Sequence, residues 1–294
     1  MKVLVTGASG KLGPYLIDNL VNQAMEVYGW YHATQPSLSA CTMESTDLSV
    51  ESNIKYALRQ LQPDLIIHSA AISTVGESYQ NPDLAMKVNG EAPGWITRWA
   101  KNANPRCRVV HLSTDQVFDG DHAPYDEESH PSPLNVYGKS KAQGEKTAHR
   151  EGVDCLLRLP LMFGRCHVNR PNFFQQQHRS ILAHEPLKLF EDEWRTPLSL
   201  RHAARLICDI ATTELHGLYH LAGQTRVSRY EFGCLLAKAL GQTPENIQPC
   251  SRDTITFPEP RGRDLSLNTR KLAKACPAIE TIDLHESILA ETQA

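Results

Sequence analysis

Met1-Lys-Val-Leu-Val-Thr-Gly7-Ala-Ser-Gly10-Lys-Leu-Gly13 opens the chain, and the reading of this stretch decides the fold. Val3 to Val5 is a short, β-branched-rich run, suited to a buried strand of a parallel sheet. From Leu12 to Asn22 the apolar residues Leu12, Leu16, Ile17 and Leu20 share one helical face. Gly7, Gly10 and Gly13 stand between the two. In a strand–loop–helix setting, such glycines permit the tight turn and let main-chain amides approach a pyrophosphate. They also let helix and strand pack closely. The helix N-terminus adds partial positive charge. Gly7, Ser9, Gly10, Lys11, Leu12 and Gly13 are therefore candidate contacts of a dinucleotide.

The same rhythm continues outward. Met25 to Trp30 reads as a strand, Val50 to Leu61 as a helix, and Asp64 to His68 as a buried strand. Pro82 to Ala103 reads as a helix, Arg108 to Leu112 as a strand, Asn135 to Arg150 as a helix and Cys155 to Leu159 as a strand. Strands alternating with helices predict an α/β fold with a Rossmann-like, doubly wound parallel sheet. After about Pro160, prolines, arginines and aromatics become frequent and strand signals sparse. Ser199 to Thr213 still reads as a helix, Gly217 to Ala222 as a strand and Ser228 to Leu240 as an amphipathic helix. The expected organisation is a dinucleotide-binding domain of residues 1–160 plus about 198–222. A smaller C-terminal substrate-binding lobe takes about 161–197 and 223–294. Glu291 to Ala294 are expected to fray.

Composition narrows the function. A chain of 294 residues can build one large α/β domain with a smaller lobe. With 41% hydrophobic and 21% charged residues it reads as an ordinary soluble globular protein. A net charge of −3 gives no general attraction to nucleic acid or an acidic membrane surface. No apolar run is long enough to cross a bilayer, and the N-terminus lacks the apolar core and cleavage site of a signal peptide. The eight cysteines include no Cys-x-x-Cys pair, so neither a zinc knuckle nor a redox dithiol is indicated. Thiols in a reducing cytoplasm are the expectation. The thirteen histidines include no His-Glu-x-x-His run, and no metal site is expected.

The ribose end of the cofactor is less marked. An acidic residue after the second strand would bond the ribose hydroxyls of NAD(H). That place reads Gly29-Trp30-Tyr31-His32-Ala33, with neither carboxylate nor arginine. Lys11 or His32 could meet a 2′-phosphate, so the reading favours NADP(H), with NAD(H) the alternative. Asp47-Leu48 could cap the adenine, or Asp47 could cap a helix.

Tyr137 and Lys141 are four apart in Tyr-Gly-Lys-Ser-Lys, which puts both on one face of a helix. A phenol near pKa 10 exchanges protons poorly at neutral pH, and an adjacent ammonium would draw that value down. The pair could then protonate a carbonyl oxygen. The buried-type strand Val109-Val110-His111-Leu112 ends in Ser113-Thr114-Asp115, at the sheet end where ligands bind. Either hydroxyl could hold a substrate carbonyl, or simply cap a loop.

Longer stretches carry a resemblance. They are Ser113-Thr-Asp-Gln-Val-Phe-Asp-Gly120, Pro124-Tyr-Asp-Glu127 and Pro133-Leu-Asn-Val-Tyr-Gly-Lys-Ser-Lys-Ala-Gln-Gly-Glu145. With Gly7 to Gly13, Ala70-Ala71, Asn89, Arg158 to Gly164, Asn172-Phe173, Asp192 to Pro197 and Arg261 to Asn268, they resemble the dTDP-4-dehydrorhamnose reductase family of extended short-chain dehydrogenases. The resemblance implies reduction of a 4-keto sugar on a nucleoside diphosphate, dTDP-4-dehydrorhamnose to dTDP-rhamnose. It implies Tyr137 as proton donor, Lys141 tuning it and holding the nicotinamide ribose, and Thr114 as the catalytic hydroxyl. Ala70 and Ala71 would pass under the cofactor, with Pro160 and Phe163 near the nicotinamide. Asp115, Gln116, Asn172 and Arg195 fall on the substrate side, and Arg261 would meet the nucleotide phosphates.

Departures matter. Gln116 stands where the family usually has tyrosine, in a segment that contacts the sugar. Gly262 replaces a proline, Asn268 an aspartate, and His202 stands where an acid is common. The regulatory subunits of methionine adenosyltransferase resemble the same family, so a dinucleotide-binding partner of another enzyme is the alternative reading. A homodimer is the other association considered. Dehydration or epimerisation ranks lower, because Gln116 interrupts the Asp/Glu pair that dehydration uses.

Overall fold

A computed structural model describes residues 1–34, 41–166, 171–279 and 282–293. At its centre lies a parallel sheet of seven strands: β1 (Lys2–Thr6), β2 (Glu26–Tyr31), β3 (Thr42–Ser45), β4 (Leu65–His68), β5 (Arg108–Thr114), β6 (Cys155–Leu159) and, much later in the chain, Gly217–His220. That late strand lies at the edge beside β6, and the order continues β5, β4, β1, β2, β3. Each described pairing in it is parallel. The order reverses at β1, between β2 and β4, and a crevice opens there at the strands' C-terminal ends.

Alternate side chains of each strand enter two separate cores. Val3 and Val5 point to one face with Leu16, Ile17 and Leu20 of α1 (Gly13–Asn22). Leu4 points to the other with Ile54 and Leu58 of α2 (Glu51–Leu61). Fully buried strands flanked on both faces explain why these runs are apolar throughout.

The helix expected over Pro82 to Ala103 is broken into pieces. After α3 (Val75–Gln80) come α4 (Pro82–Ala85), a π-helical turn at Met86–Glu91, and α5 (Ala92–Ala103). The wide turn carries Asn89, whose side chain accepts from Ile72 N at 2.9 Å and donates to Ile72 O at 3.1 Å and Ser140 Oγ at 3.0 Å. Ser140 belongs to α6 (Val136–Arg150), so this irregular turn ties the β4 loop to the helix that carries Tyr137.

The second lobe has its own core. Phe163, Phe174, Phe232, Leu236 and Ile288 gather from β7 (Met162–Phe163), α7 (Phe173–Leu182), and two later helices, Arg229–Ala239 and Leu284–Gln293. Short strand pairs stitch it together. They are β8 (Leu187–Phe190) with Ile247–Cys250, β9 (Trp194–Arg195) with Val227–Ser228, and β10 (Leu198–Ser199) with β7. The remaining helix α8 (Leu200–Ala211) returns to pack on α1, and its chain continues into the Gly217–His220 strand, here β11. In order, the later elements are β12 (Val227–Ser228), α9 (Arg229–Ala239), β13 (Ile247–Cys250), α10 (Arg270–Ala275) and α11 (Leu284–Gln293).

One expectation fails outright. Glu291 does not fray: α11 runs to Gln293 and Glu291 is buried. Its carboxylate accepts from Arg165 N at 3.3 Å and lies 3.7 Å from Arg201 Nε. Ala294 lies outside the described residues. None of the eight cysteines is in a disulfide. Among the described residues no helix is long and apolar enough to cross a membrane, and no cluster of His, Cys, Asp and Glu could hold a metal.

Candidate active site

The loop after β1 begins at Gly7, with φ +71°, and a Cβ there would sit 2.7 Å from Ala70 Cα. Only glycine accepts both the backbone conformation and that approach. Helix α1 then starts behind Leu12 with no side-chain cap and no acid in its first turn. Leu12 and Gly13 at its start line the cleft, where a helix N-terminus without a side-chain cap suits an anion.

A cleft of about 640 Å³ runs from this loop across the sheet ends. Gly7, Ser9, Gly10, Lys11, Leu12 and Gly13 line it at one end, with His32, Asp47 and Leu48. Asp47 is held by Ser49, accepting from its N at 2.8 Å and its Oγ at 2.7 Å, and these bonds keep its carboxyl below the usual range. Ala70 and Ala71 form the floor; Ala70 N donates to Thr6 Oγ1 at 3.1 Å. Thr114, Asp115, Gln116, Tyr137, Lys141, Pro160 and Asn172 line the far end.

At that end β5 stops at Thr114, whose side chain accepts from Gln116 N at 3.2 Å and so turns the chain. Helix α6 starts under an Asn135 cap that accepts from Gly138 N at 2.8 Å, which fixes Tyr137 in its first turn. The Tyr137 hydroxyl meets the Thr114 side chain. Tyr137 is part-exposed to the cleft, but burial of its hydroxyl end pushes the phenol up to about 12; Thr114 opposes this and Asp115 adds to it. Lys141 is buried, and its Nζ donates to Leu112 O at 2.6 Å. Burial pushes its ammonium down to about 8, and Glu145 one turn later opposes that fall. The expected lowering of Tyr137 by Lys141 is therefore not what the geometry delivers. The lysine is turned to a strand carbonyl, and the charge felt by the phenol is that of Asp115.

Asp115 is buried beside Thr114, its Oδ1 accepting from Thr114 Oγ1 at 3.1 Å. Burial raises it to about 6, with Arg195 and Thr114 opposing. Arg195 is itself buried, donating to the carbonyls of Trp194, Arg263 and Gly262. Asn172 lines the cleft but spends its side chain capping α7 and donating to Gly164 O. Phe163, expected near the nicotinamide, is fully buried in the second core, 5.1 Å from Phe232 by ring centroids. Its neighbours Leu161 and Met162 face the cleft instead. Arg261 does not line this cleft either; its guanidinium lies 4.4 Å above Phe257.

The sequence of residues 1–286 matches the RmlD substrate binding domain family. The chain belongs to that family. Within reach of this RmlD-type chain is the Probable low-salt glycan biosynthesis reductase Agl14 of Haloferax volcanii. It is 30% identical over 288 residues, which cover 95% of each chain. Methionine adenosyltransferase 2 subunit beta of Pongo abelii is 26% identical over 280 residues, 92% of this chain and 81% of the other. The fold is also that of dTDP-4-dehydrorhamnose reductase from Bacillus anthracis, solved in complex with NADP. That structure has a TM-score of 0.84 and 22% identity, and the match covers 99% and 98% of the two chains.

In this RmlD-family chain, two groups near the site are not among the site residues expected from the sequence. Glu193 is buried beside Arg195, at 3.4 Å. Arg229 is the first residue of α9 and looks like any helix-start residue in sequence. Only the fold carries both to Asp115.

Proposed function

We propose that the protein reduces a 4-keto sugar carried on a nucleoside diphosphate, with dTDP-4-dehydrorhamnose to dTDP-rhamnose as the expected reaction. It is an NAD(P)-dependent oxidoreductase. The observation that carries the reading is Thr114, Tyr137 and Lys141 lining one end of a cleft whose other end is a glycine-loop cradle, with Thr114 and Tyr137 in contact. The bare α1 N-terminus and the Cβ-less Gly7 fit a dinucleotide pyrophosphate. Tyr31-His32-Ala33-Thr34 offers no carboxylate to ribose hydroxyls, which favours NADP(H).

When bound, the reduced nicotinamide supplies the hydride that adds to the keto carbon. Thr114 holds the carbonyl oxygen by hydrogen bonding. Tyr137, protonated throughout the neutral range, gives its proton to that oxygen as it becomes an alcohol. The charge left on the phenolate is met by the Thr114 hydroxyl, while Lys141, seated on Leu112 O, would hold the nicotinamide ribose. Gln116 offers the sugar an amide where an aromatic face is usual, so it bears on which sugar fits.

The test is loss of NADPH absorbance with dTDP-4-dehydrorhamnose. Tyr137→Phe should lower turnover by about 10²- to 10⁴-fold while cofactor affinity holds. Near-normal rates in that variant would sink the assignment. The 26% identical methionine adenosyltransferase subunit supports a second reading, a dinucleotide-binding partner of another enzyme. Tight NADPH binding with no turnover of any nucleotide sugar would favour it.

A further inference from the structure

Three consecutive residues of β5 meet three residues of α6 that stand one turn apart. Lys141 Nζ donates to Leu112 O at 2.6 Å, Ser113 Oγ donates to Glu145 Oε1 at 2.5 Å, and Thr114 meets the Tyr137 hydroxyl. Residues four apart share a helix face, so Tyr137, Lys141 and Glu145 form one row. The Ser113 hydroxyl, the other candidate at this strand end, is spent on Glu145. Glu145 itself does not line the cleft, so it acts through its neighbours.

Glu145 is locked in turn. Arg158 of β6 donates to it twice, from Nε to Oε1 at 3.0 Å and from Nη2 to Oε2 at 2.7 Å, and both side chains are buried. A forked pair fixes geometry as well as supplying charge. The guanidinium lies 5.0 Å from the centroid of Phe118, and its Nη1 is 3.4 Å from His220 Nε2 on β11. His220 Nδ1 is 3.2 Å from Tyr125 O, so Nδ1 carries the proton and Nε2 is left to accept from Arg158. Lys141 is faced by His68 of β4 and His111 of β5, with Tyr137 and Glu145 one turn either way on its own helix. Both imidazoles are held neutral, and Glu145 is the carboxylate that opposes the fall of the ammonium to about 8.

We propose that Glu145 is a positioning residue for the reduction: locked by Arg158 and bonded to Ser113, it seats α6 on β5 in the register that sets Tyr137 against Thr114, and it sets a negative charge beside the Lys141 ammonium. This rests on the keto-sugar reading above and adds a residue that touches neither substrate nor cofactor. A misplacement of about 1 Å between reacting groups can cost about 10²-fold in rate, so the register of one helix on one strand matters.

The test uses the full-length protein with NADPH and dTDP-4-dehydrorhamnose. Glu145→Gln alone strands the Arg158 charge in the interior and endangers the fold. Glu145→Gln together with Arg158→Met removes both charges and keeps an acceptor for Ser113. In that double variant kcat should fall about ten- to a hundredfold, with KM for either substrate within about threefold. The alkaline limb of kcat/KM should move down by about one pH unit, because the ammonium has lost its carboxylate. Denaturant melts read the same group without turnover: stability should begin to climb with pH about one pH unit earlier than in wild type. Ser113→Ala should cost less than about tenfold in kcat and leave the limb in place. Should the double variant not fold, Glu145→Asp keeps the charge but shortens the reach, so kcat should fall while the limb holds. A double variant with the wild-type kcat, or with the wild-type limb and melt slope, overturns the assignment, since a merely structural pair would lower stability alone. Wild-type kcat in Glu145→Asp does the same. A Ser113→Ala protein as inactive as Tyr137→Phe also overturns it, because Ser113 would then be the catalytic hydroxyl. Wild-type protein that reduces no nucleotide sugar sinks the reading beneath, and the melt slope still decides the place of Glu145.

Discussion

Lys141 Nζ donates to Leu112 O at 2.6 Å, so the ammonium of α6 is anchored on the strand that ends in Thr114. His68 and His111 stack beside it, ring centroids 5.2 Å apart, and burial and the ammonium hold both imidazoles neutral. Glu145 is the carboxylate acting on Lys141, and it is gripped by Arg158 at 2.7 Å and by Ser113 at 2.5 Å.

The pH profile of reduction follows from this arrangement. Tyr137, pushed up to about 12, stays protonated across the working range. Lys141, pushed down to about 8, is the group that changes first on the alkaline side. Reduction should hold steady to about pH 8 and then fall as the ammonium is lost. The measurement is kcat/KM for the keto sugar against pH. A rate that persists to about pH 10 would contradict it.

The same lysine makes a stability prediction. Its folded value, about 8, lies below the ordinary 10.5. Between those values the unfolded chain binds the proton and the folded one does not, so stability rises with pH across that window. At neutral pH the buried charge costs roughly 3 kcal/mol. Lys141→Met removes that cost but leaves the Leu112 carbonyl unpaired, worth about 1–3 kcal/mol. We expect a net gain near 1 kcal/mol in denaturant melts at neutral pH, with activity largely lost. The advantage should shrink at alkaline pH; an advantage that grows with pH would show the sign to be wrong.

Gly7→Ala tests the cradle. The new Cβ meets Ala70 Cα at 2.7 Å, and φ +71° strains any side chain. NADPH affinity should drop by at least about tenfold, with a stability cost of about 1–3 kcal/mol. Gly76→Ala is the control: nothing lies within 4 Å of its Cβ, and it sits in α3, so it should be neutral or slightly stabilising. A Gly7→Ala protein that binds NADPH like wild type would remove the loop from the cofactor site.

What the sequence carried was local. Val3–Val5 and Leu65–His68 are buried on both faces, so their apolar runs announce themselves. Strand β3 does not: Thr42–Ser45 is a mostly exposed edge strand whose place comes from pairing with β2. Tyr137 and Lys141 were readable as a pair because helix spacing puts them on one face; the strand end offers Ser113 and Thr114 alike, and only the resemblance implies Thr114. Phe163 was misplaced because the strand pair β7–β10 turns it into the second core. Arg229 and Glu193 come within electrostatic reach of Asp115 only through long-range packing, which leaves no mark at any fixed spacing.

Fraying at Glu291 is a wrong expectation for the same reason, and the helix that carries this residue yields a last prediction. Ile288 is fully buried against the core that holds Phe163, Phe174, Phe232 and Leu236. Ile288→Ala removes packing from a small core that cannot easily collapse around the gap. It should cost about 2–4 kcal/mol in denaturant melts. Leu289→Ala, 36% exposed on the same helix, should cost under about 0.5 kcal/mol. NADPH binding should survive in both below the melting range, because the glycine loop stands on a different core. Equal, small effects of the two substitutions would mean that α11 does not dock on the second lobe in solution.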